Sequence, residues 1–144
     1  MQRFTIHFAV YIILEKQNEI CLLKRQNTGF MDGFYSLIAG HVDGNEPATL
    51  AAIREAQEEA GIDIKQQDLQ LACTVHRMST NQKEYIDLFF KCDKWQGEII
   101  NKEPEKCAEI KFHKLINLPS NMIPYVKKVL KSINSGINYL EMDW

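Results

Sequence analysis

The stretch Arg54 to Gly61, REAQEEAG, places Glu55, Glu58 and Glu59 beside one another and next to Arg54. On a helix, positions i, i+3 and i+4 lie over one another, so the three carboxylates share a face. Like charges at that spacing repel, although an exposed pair destabilises a helix by only a few tenths of a kcal/mol. A solvated surface is therefore one reading of the cluster, and an Arg54–Glu58 bridge at i, i+4 would suit it. The other reading is a seat for a hard divalent cation, which takes oxygen ligands. Such a cation neutralises phosphoryl oxygens and acidifies bound water, so the chemistry would be attack on a phosphate ester or anhydride.

The element that must position these groups is a helix expected from about Pro47 to Ala60. Proline is tolerated in a first turn because its missing N–H would be unpaired there anyway. Gly61 ends the helix, where a residue free to adopt positive φ is favoured. Thr49, Ala52, Ile53, Ala56 and Ala60 fall in one sector at about 100° per residue, with the glutamates in the next. Small residues in that sector let the helix lie close to a sheet.

Strands are expected at Phe4–Leu14, Ile20–Lys24 and Phe34–Ala39 before the helix. Others are expected at Leu69–His76, Tyr85–Cys92 and Lys106–His113 after it. The segment Asn27–Gly33 reads as a loop broken by Gly29, Asp32 and Gly33. A last helix, about Ile123–Ser135, has Tyr125, Val126, Val129, Leu130 and Ile133 on one side and Lys127, Lys128 and Lys131 on the other. The tail ending at Trp144 could pack on the domain or on a second subunit.

The chain has 144 residues, 45% of them hydrophobic, which suits one α/β domain over residues 1–144. Its net charge of −2 favours neither nucleic acid nor an anionic membrane as partner. The apolar run Phe8–Leu14 is too short to span a bilayer. Cys21, Cys73, Cys92 and Cys107 are scattered without a CxxC pair, so a cytoplasmic location is expected, with no disulfide or zinc framework.

Spacing around the acidic helix extends the pattern. Gly40 is followed after five residues by Glu46, and after seven more by Arg54-Glu55, Ala56, Gln57, Glu58-Glu59, Ala60, Gly61 and Ile62. This resembles the signature of the Nudix hydrolases, G-x5-E-x7-R-E-U-x-E-E-x-G-U, where U is bulky or aliphatic. Every fixed position is filled, with Ala56 small for its slot. Where many relatives carry Leu-Pro-Gly-Gly, this chain has Leu37-Ile38-Ala39-Gly40, then His41. That changes the loop's shape without removing the acidic residues.

The resemblance implies an α/β fold, an α/β/α sandwich with a mixed central sheet. It implies hydrolysis of a nucleoside diphosphate linked to another group, with Mg2+ or Mn2+ as cofactor. Carried over onto this chain, Glu58 and Glu59 would be metal ligands, Glu55 a ligand or general base, and the Gly40 carbonyl a further ligand. Arg54 would orient the glutamates, while Glu46 and Gly61 would be structural, Glu46 through Arg54 or the positive helix end.

Outside the signature, Glu103, Glu105 and Glu109 are candidates for a further acid, with Glu103 preferred. Arg25 is a candidate phosphate contact, and His76 and Arg77 are candidates to line the pocket. Phe30, Phe34 and Tyr35 are candidates to stack on a base. For each of these an ordinary surface or core role is the competing reading. The expected substrate is a nucleoside triphosphate yielding monophosphate and pyrophosphate, acted on by a monomer or homodimer. ADP-ribose or a nucleotide sugar is the alternative, although the sequence shows no sign of the longer cleft those would need. A non-catalytic nucleotide sensor would be expected to have lost one of the glutamates.

Overall fold

The computed structural model describes residues 1–144. In chain order its strands are β1 (His7–Lys16), β2 (Glu19–Arg25), β3 (Tyr35–Ser36), β4 (Ile38–His41), β5 (Gln70–Met78), β6 (Glu84–Cys92), β7 (Cys107–Lys114) and β8 (Tyr139–Met142). The helices are α1 (Ala48–Ala60) and α2 (Pro124–Asn134), with short 3-10 turns at Gln66–Asp68 and Leu115–Asn117.

Alternation along β1 explains the layering. Ala9, Tyr11 and Ile13 point into one core, while Val10, Ile12 and Leu14 point into another. A strand buried on both faces belongs at the centre of a covered sheet. β1 indeed runs parallel to β6 from His7↔Tyr85 to Leu14↔Cys92, antiparallel to β4, and antiparallel to β2 across a hairpin. The hairpin turns on Gln17 and Asn18, whose φ values of 52° and 64° match the twist of the flanking strands. The sheet runs β3-β2-β1-β6-β5-β8, with β4 also on β1 and β7 on β2. Parallel pairs β1–β6 and β5–β8 among antiparallel ones make it mixed.

Each core is closed by one helix. Ala51, Ala52, Ala56 and Ala60 of α1 cover the Val10–Ile12–Leu14 face, and Val126, Val129 and Leu130 of α2 cover the opposite one. The result is the α/β/α sandwich that the resemblance implied. The methyl-sized contact surface brings α1 close to the sheet, so the acidic face beside it lies against β4. Gly61 caps α1 at φ 68°, its N–H donating to the Gln57 carbonyl at 3.1 Å. No helix is long and apolar enough to cross a membrane.

Several expectations are corrected. Phe4, Thr5 and Ile6 lie outside β1 and are exposed; the pairing of β1 with β6 begins only at His7↔Tyr85. Phe34–Ala39 is not one strand; it divides at Leu37 into β3, which pairs with β2, and β4, which pairs with β1. Pro47 is the N-cap of α1 and not its first turn. The tail forms β8, parallel to β5, with Met142 buried in the α2-side core.

Candidate active site

Close packing of α1 against β4 brings Gly40 onto Glu55. A Cβ built at Gly40 would lie 2.1 Å from the Glu55 carboxyl carbon. One turn on, Glu59 Oε2 accepts the Ala39 N–H at 3.0 Å, so both carboxylates sit at the end of β4. Glu58 is more exposed, on the outer side of the same helix.

Arg54 organises this face. Its Nη2 meets Glu46 Oε1 at 2.8 Å, and its Nε approaches Glu46 Oε2 at 3.3 Å. Nη1 holds Glu55 Oε1 at 2.8 Å and reaches Glu58 at 3.5 Å, while Nη2 also donates to the His41 carbonyl at 3.1 Å. The guanidinium thus ties the pre-helix loop, the end of β4 and two acidic side chains together. Its bonds to Glu46 keep Arg54 protonated beyond the ordinary range and hold Glu46 below the usual carboxylate range.

Glu55 and Glu59 are strained electrostatically in the opposite direction. Burial raises the Glu55 carboxyl; Arg54 opposes this, and the Glu58 and Glu103 carboxylates reinforce it. Burial also raises Glu59 well above its usual value, with the negative charges of Glu55 and Glu103 adding to the effect. Buried carboxylates that repel one another are relieved by a cation among them. The all-oxygen donor set, with a β4 carbonyl beside it, has the chemistry of a hard divalent ion. In the observed rotamers no three acidic, thiol or imidazole groups converge on one point, and Glu55 and Glu58 lean instead to Arg54.

A cleft opens from this end of the sheet. Its first cavity, about 450 Å³, is bounded by Glu59, Glu103, Arg25, Thr28 and His41. Glu103 therefore lies on the acidic wall, and Asn101 braces it by accepting the Glu103 N–H at 3.1 Å and donating to the Cys107 carbonyl at 2.7 Å. The loop after β2 is knitted to this segment. Gln26 Nε2 donates to the Pro104 carbonyl at 2.7 Å and Asn27 Nδ2 to that of Glu105 at 3.0 Å. Arg25 spends its guanidinium on its own loop, donating to the Phe30 carbonyl at 2.8 Å and to Thr28 Oγ1 at 3.0 Å, yet still lines the cleft.

Past Arg25, Ala39 and His41 the cleft continues into a second cavity of about 360 Å³, walled by Tyr11, Arg77, Tyr85 and Tyr125. A third, about 510 Å³ and more apolar, shares Phe30, Arg77 and Tyr125 with it. Shared lining residues thus join the three cavities side by side, a longer concave surface than was expected.

Other expected residues are placed elsewhere. Phe34 packs against the α2-side core, and the Tyr35 hydroxyl donates to Glu109 Oε1 at 2.8 Å; neither wall of the cleft includes them. His76 lies on the sheet face opposite Arg77, its ring 4.7 Å from that of Trp144 and its Nε2 3.6 Å from Glu84. Glu109 is engaged by Tyr35 and Lys111, and Glu105 contributes its backbone to the loop seam. Phe30 does reach the cleft. Residues not singled out from the sequence include His41, Tyr11, Tyr125, Asp87 and Asn101. Only His41 carried a local signal, its place directly after Gly40.

Known proteins share this fold and this sequence pattern. The NUDIX domain family matches residues 3–133. An 8-oxo-dGTP diphosphatase of Proteus vulgaris is 30% identical over 108 residues, covering 72% of this chain and 89% of that protein. An ADP-ribose pyrophosphatase of Methanocaldococcus jannaschii is 32% identical over 131 residues, covering 90% of this chain and 75% of that one. Among solved structures, a MutT NUDIX hydrolase from Burkholderia pseudomallei superposes with a TM-score of 0.81 at 23% identity, over 89% of this chain and 98% of its own. Signature, fold and relatives agree: the chain belongs to the Nudix family of pyrophosphohydrolases.

Proposed function

We propose that the protein hydrolyses a nucleoside triphosphate to the monophosphate and pyrophosphate, with the anhydride seated at the junction of the first two cavities. The observation carrying this reading is that the first two cavities share Arg25, Ala39 and His41, with Glu59 and Glu103 lining one and an aromatic, polar chamber forming the other. A triphosphate and a base need those two environments side by side.

Mg2+ or Mn2+ is the cofactor in this proposal; Glu58, Glu59 and the Gly40 carbonyl would hold it, with Glu55 as a ligand or the base and Glu103 as a further acid. When bound, it supplies charge neutralisation for the phosphoryl oxygens and a more acidic water. The chain's own residues do the rest. Arg54 restrains Glu55 against Gly40, which fixes the position of that carboxylate. Glu55, fixed beside Gly40, is the base that takes the proton of the attacking water in this reading. Water adds to phosphorus, the bridging P–O bond breaks, and pyrophosphate leaves. Arg25 lines the path at the boundary of the two cavities, where it can meet the departing negative charge.

A second reading, cleavage of ADP-ribose or a nucleotide sugar, is favoured by the third cavity, which extends the cleft beyond the space one base requires. The Methanocaldococcus jannaschii relative points the same way. Phosphate and nucleotide release with Mg2+ across triphosphates, dinucleoside polyphosphates and nucleotide sugars separates the two. Preference for ADP-ribose over every triphosphate would reverse their order. Glu58→Gln should leave folding intact and reduce turnover by about a thousandfold, as loss of a metal-dependent step does. Unchanged turnover would remove Glu58 from the mechanism.

A further inference from the structure

The wall of the second cavity includes Arg77, one half of a buried ion pair that the hydrolytic chemistry does not use. Asp87, on β6, is fully buried, and Arg77, on β5, is 6% exposed. Arg77 Nε donates to Asp87 Oδ2 at 2.8 Å, and Nη2 reaches Oδ1 at 3.5 Å. The guanidinium carbon lies 4.1 Å from the Tyr125 ring centre and 4.6 Å from that of Tyr85. Burial works against the charge on Arg77, but the bond to Asp87 and the nearby tyrosine groups retain it.

Hydrogen-bond bookkeeping shows what this assembly offers. Arginine has five N–H donors and no acceptor. Asp87 occupies two of them, and no other protein group bonds to the rest. The side chain nevertheless forms part of the cavity wall, between two rings that fix its plane. Tyr11 and Tyr125 are bonded hydroxyl to hydroxyl on the same wall, so one of their two O–H groups is spent on the other. The wall is thus rich in held donors and contains no free carboxylate, since Asp87 is neutralised. A second phosphate has little to gain from a pair with no net charge. A neutral, flat, carbonyl-bearing ring fits better. Phe30, an apolar side chain 44% exposed at the junction with the third cavity, provides a face for such a ring.

We infer that Arg77, held by Asp87 and clamped between Tyr85 and Tyr125, selects bases that present a ring carbonyl over bases that present an amino group in its place. Two N–H donors on one planar group match an adjacent oxygen and ring nitrogen, as on the 6-oxopurine edge. An amino group there would set donor against donor and leave buried N–H groups unpaired, which is the costly outcome. The inference rests on the proposal that the acidic wall receives the phosphates, because this directs the base to the second cavity.

The test is calorimetric titration of the protein, with Mg2+, with three probes differing at one purine position: IMP, AMP and purine riboside 5′-monophosphate. IMP should bind about tenfold or more tightly than the other two. In parallel, kcat/KM for ITP should exceed that for ATP by a similar factor. In the Arg77→Gln/Asp87→Asn double variant, which removes both charges together, the IMP-to-AMP ratio should fall to about twofold or less. Equal or reversed affinities in the wild-type protein would overturn the inference, as would failure of all three probes to bind. Purine riboside monophosphate binding like IMP would also overturn it, and this comparison needs no variant to fold. So would a preference that survives the double variant. The hydrolytic proposal fails separately, by absence of turnover of any triphosphate, which leaves the binding ratios readable.

Discussion

Gly40 and Glu55 adjoin so closely that no methyl group fits between them: a Cβ at residue 40 would lie 2.1 and 2.2 Å from the Glu55 carboxyl carbon and Oε1. The obstacle is the far end of a flexible side chain, so Gly40→Ala should fold with Glu55 pushed aside. A displacement of about 1 Å at a reacting group can lower rate by around a hundredfold. Turnover should therefore fall by about that factor while the far-ultraviolet circular dichroism stays unchanged. Wild-type turnover in this variant would show that Glu55 need not occupy the place beside Gly40.

Divalent metal should stabilise the fold. Relief of the repulsion among Glu55, Glu59 and Glu103 is available only to the folded chain, where the three are gathered. A ligand at a hundredfold excess over its Kd adds about 2.7 kcal/mol to stability, a rise of several degrees in Tm for a domain of this size. Thermal scans with Mg2+ or Mn2+ should show that rise, and chelation should reverse it. Glu59→Gln should lose most of the increment.

Glu46 should contribute stability that depends on pH with a definite sign. Its folded-state pKa is lowered from an ordinary value of 4.5, first by the Arg54 hydrogen bond and then by the Asp43 N–H. The stabilisation is therefore complete above pH 4.5 and disappears as pH falls through the lowered folded-state value. The difference in Tm between wild-type protein and Glu46→Gln should be largest near neutrality and close toward acid. A difference independent of pH would mean the Glu46–Arg54 bond contributes through geometry alone.

Docking of β8 should be worth measurable stability. Met142 is 4% exposed, with its side chain in the α2-side core. Met142→Ala should lower the urea-derived unfolding free energy by roughly 2–5 kcal/mol, the range for buried large-to-small changes. A loss below about 0.5 kcal/mol, the level of a neutral surface change, would mean the strand is only loosely attached.

The four cysteines should be inert in the native protein. All are buried, and burial pushes the Cys21 thiol up to about 12, with Cys73, Cys92 and Cys107 also raised. Thiolate is the reactive form, so an aromatic disulfide reagent at pH 8 should label slowly until denaturant is added, then titrate all four groups. Fast labelling of Cys107, which borders the first cavity, would reveal opening of the cleft wall.

What could be read from the sequence is what local spacing determines. The acidic face of α1, its alanine contact sector and its glycine stop all follow from helical period, and the structure has them where that period puts them. Glu103 could be named as a candidate because it falls in a loop after two strands, although its distance from Glu59 depends on how β7 returns beside β2. Phe34 and Tyr35 lie away from the cleft for a related reason. The bend at Leu37 separates two strands with different partners, and which way a side chain faces changes with every residue. The Arg77–Asp87 pair lies on two arms of a hairpin whose register, Val75↔Asp87 and Arg77↔Tyr85, no periodicity specifies. Strand β8 escaped because Tyr139–Met142 is short and its partner β5 lies far back in the chain.

The seam between the loop after β2 and the segment carrying Glu103 has one backbone bond, Gln26 N–H to the Lys106 carbonyl, and two side-chain ones that run in a single direction: Gln26 and Asn27 grip main-chain oxygens of Pro104 and Glu105. Main-chain oxygens are the same whatever residue bears them, and the side chains at 104 and 105 face solvent. Mutational tolerance should therefore be lopsided, generous at 104 and 105 and strict at 26 and 27. The two sides of one joint would then drift at unequal rates, with the gripping side holding its identity while the gripped side wanders.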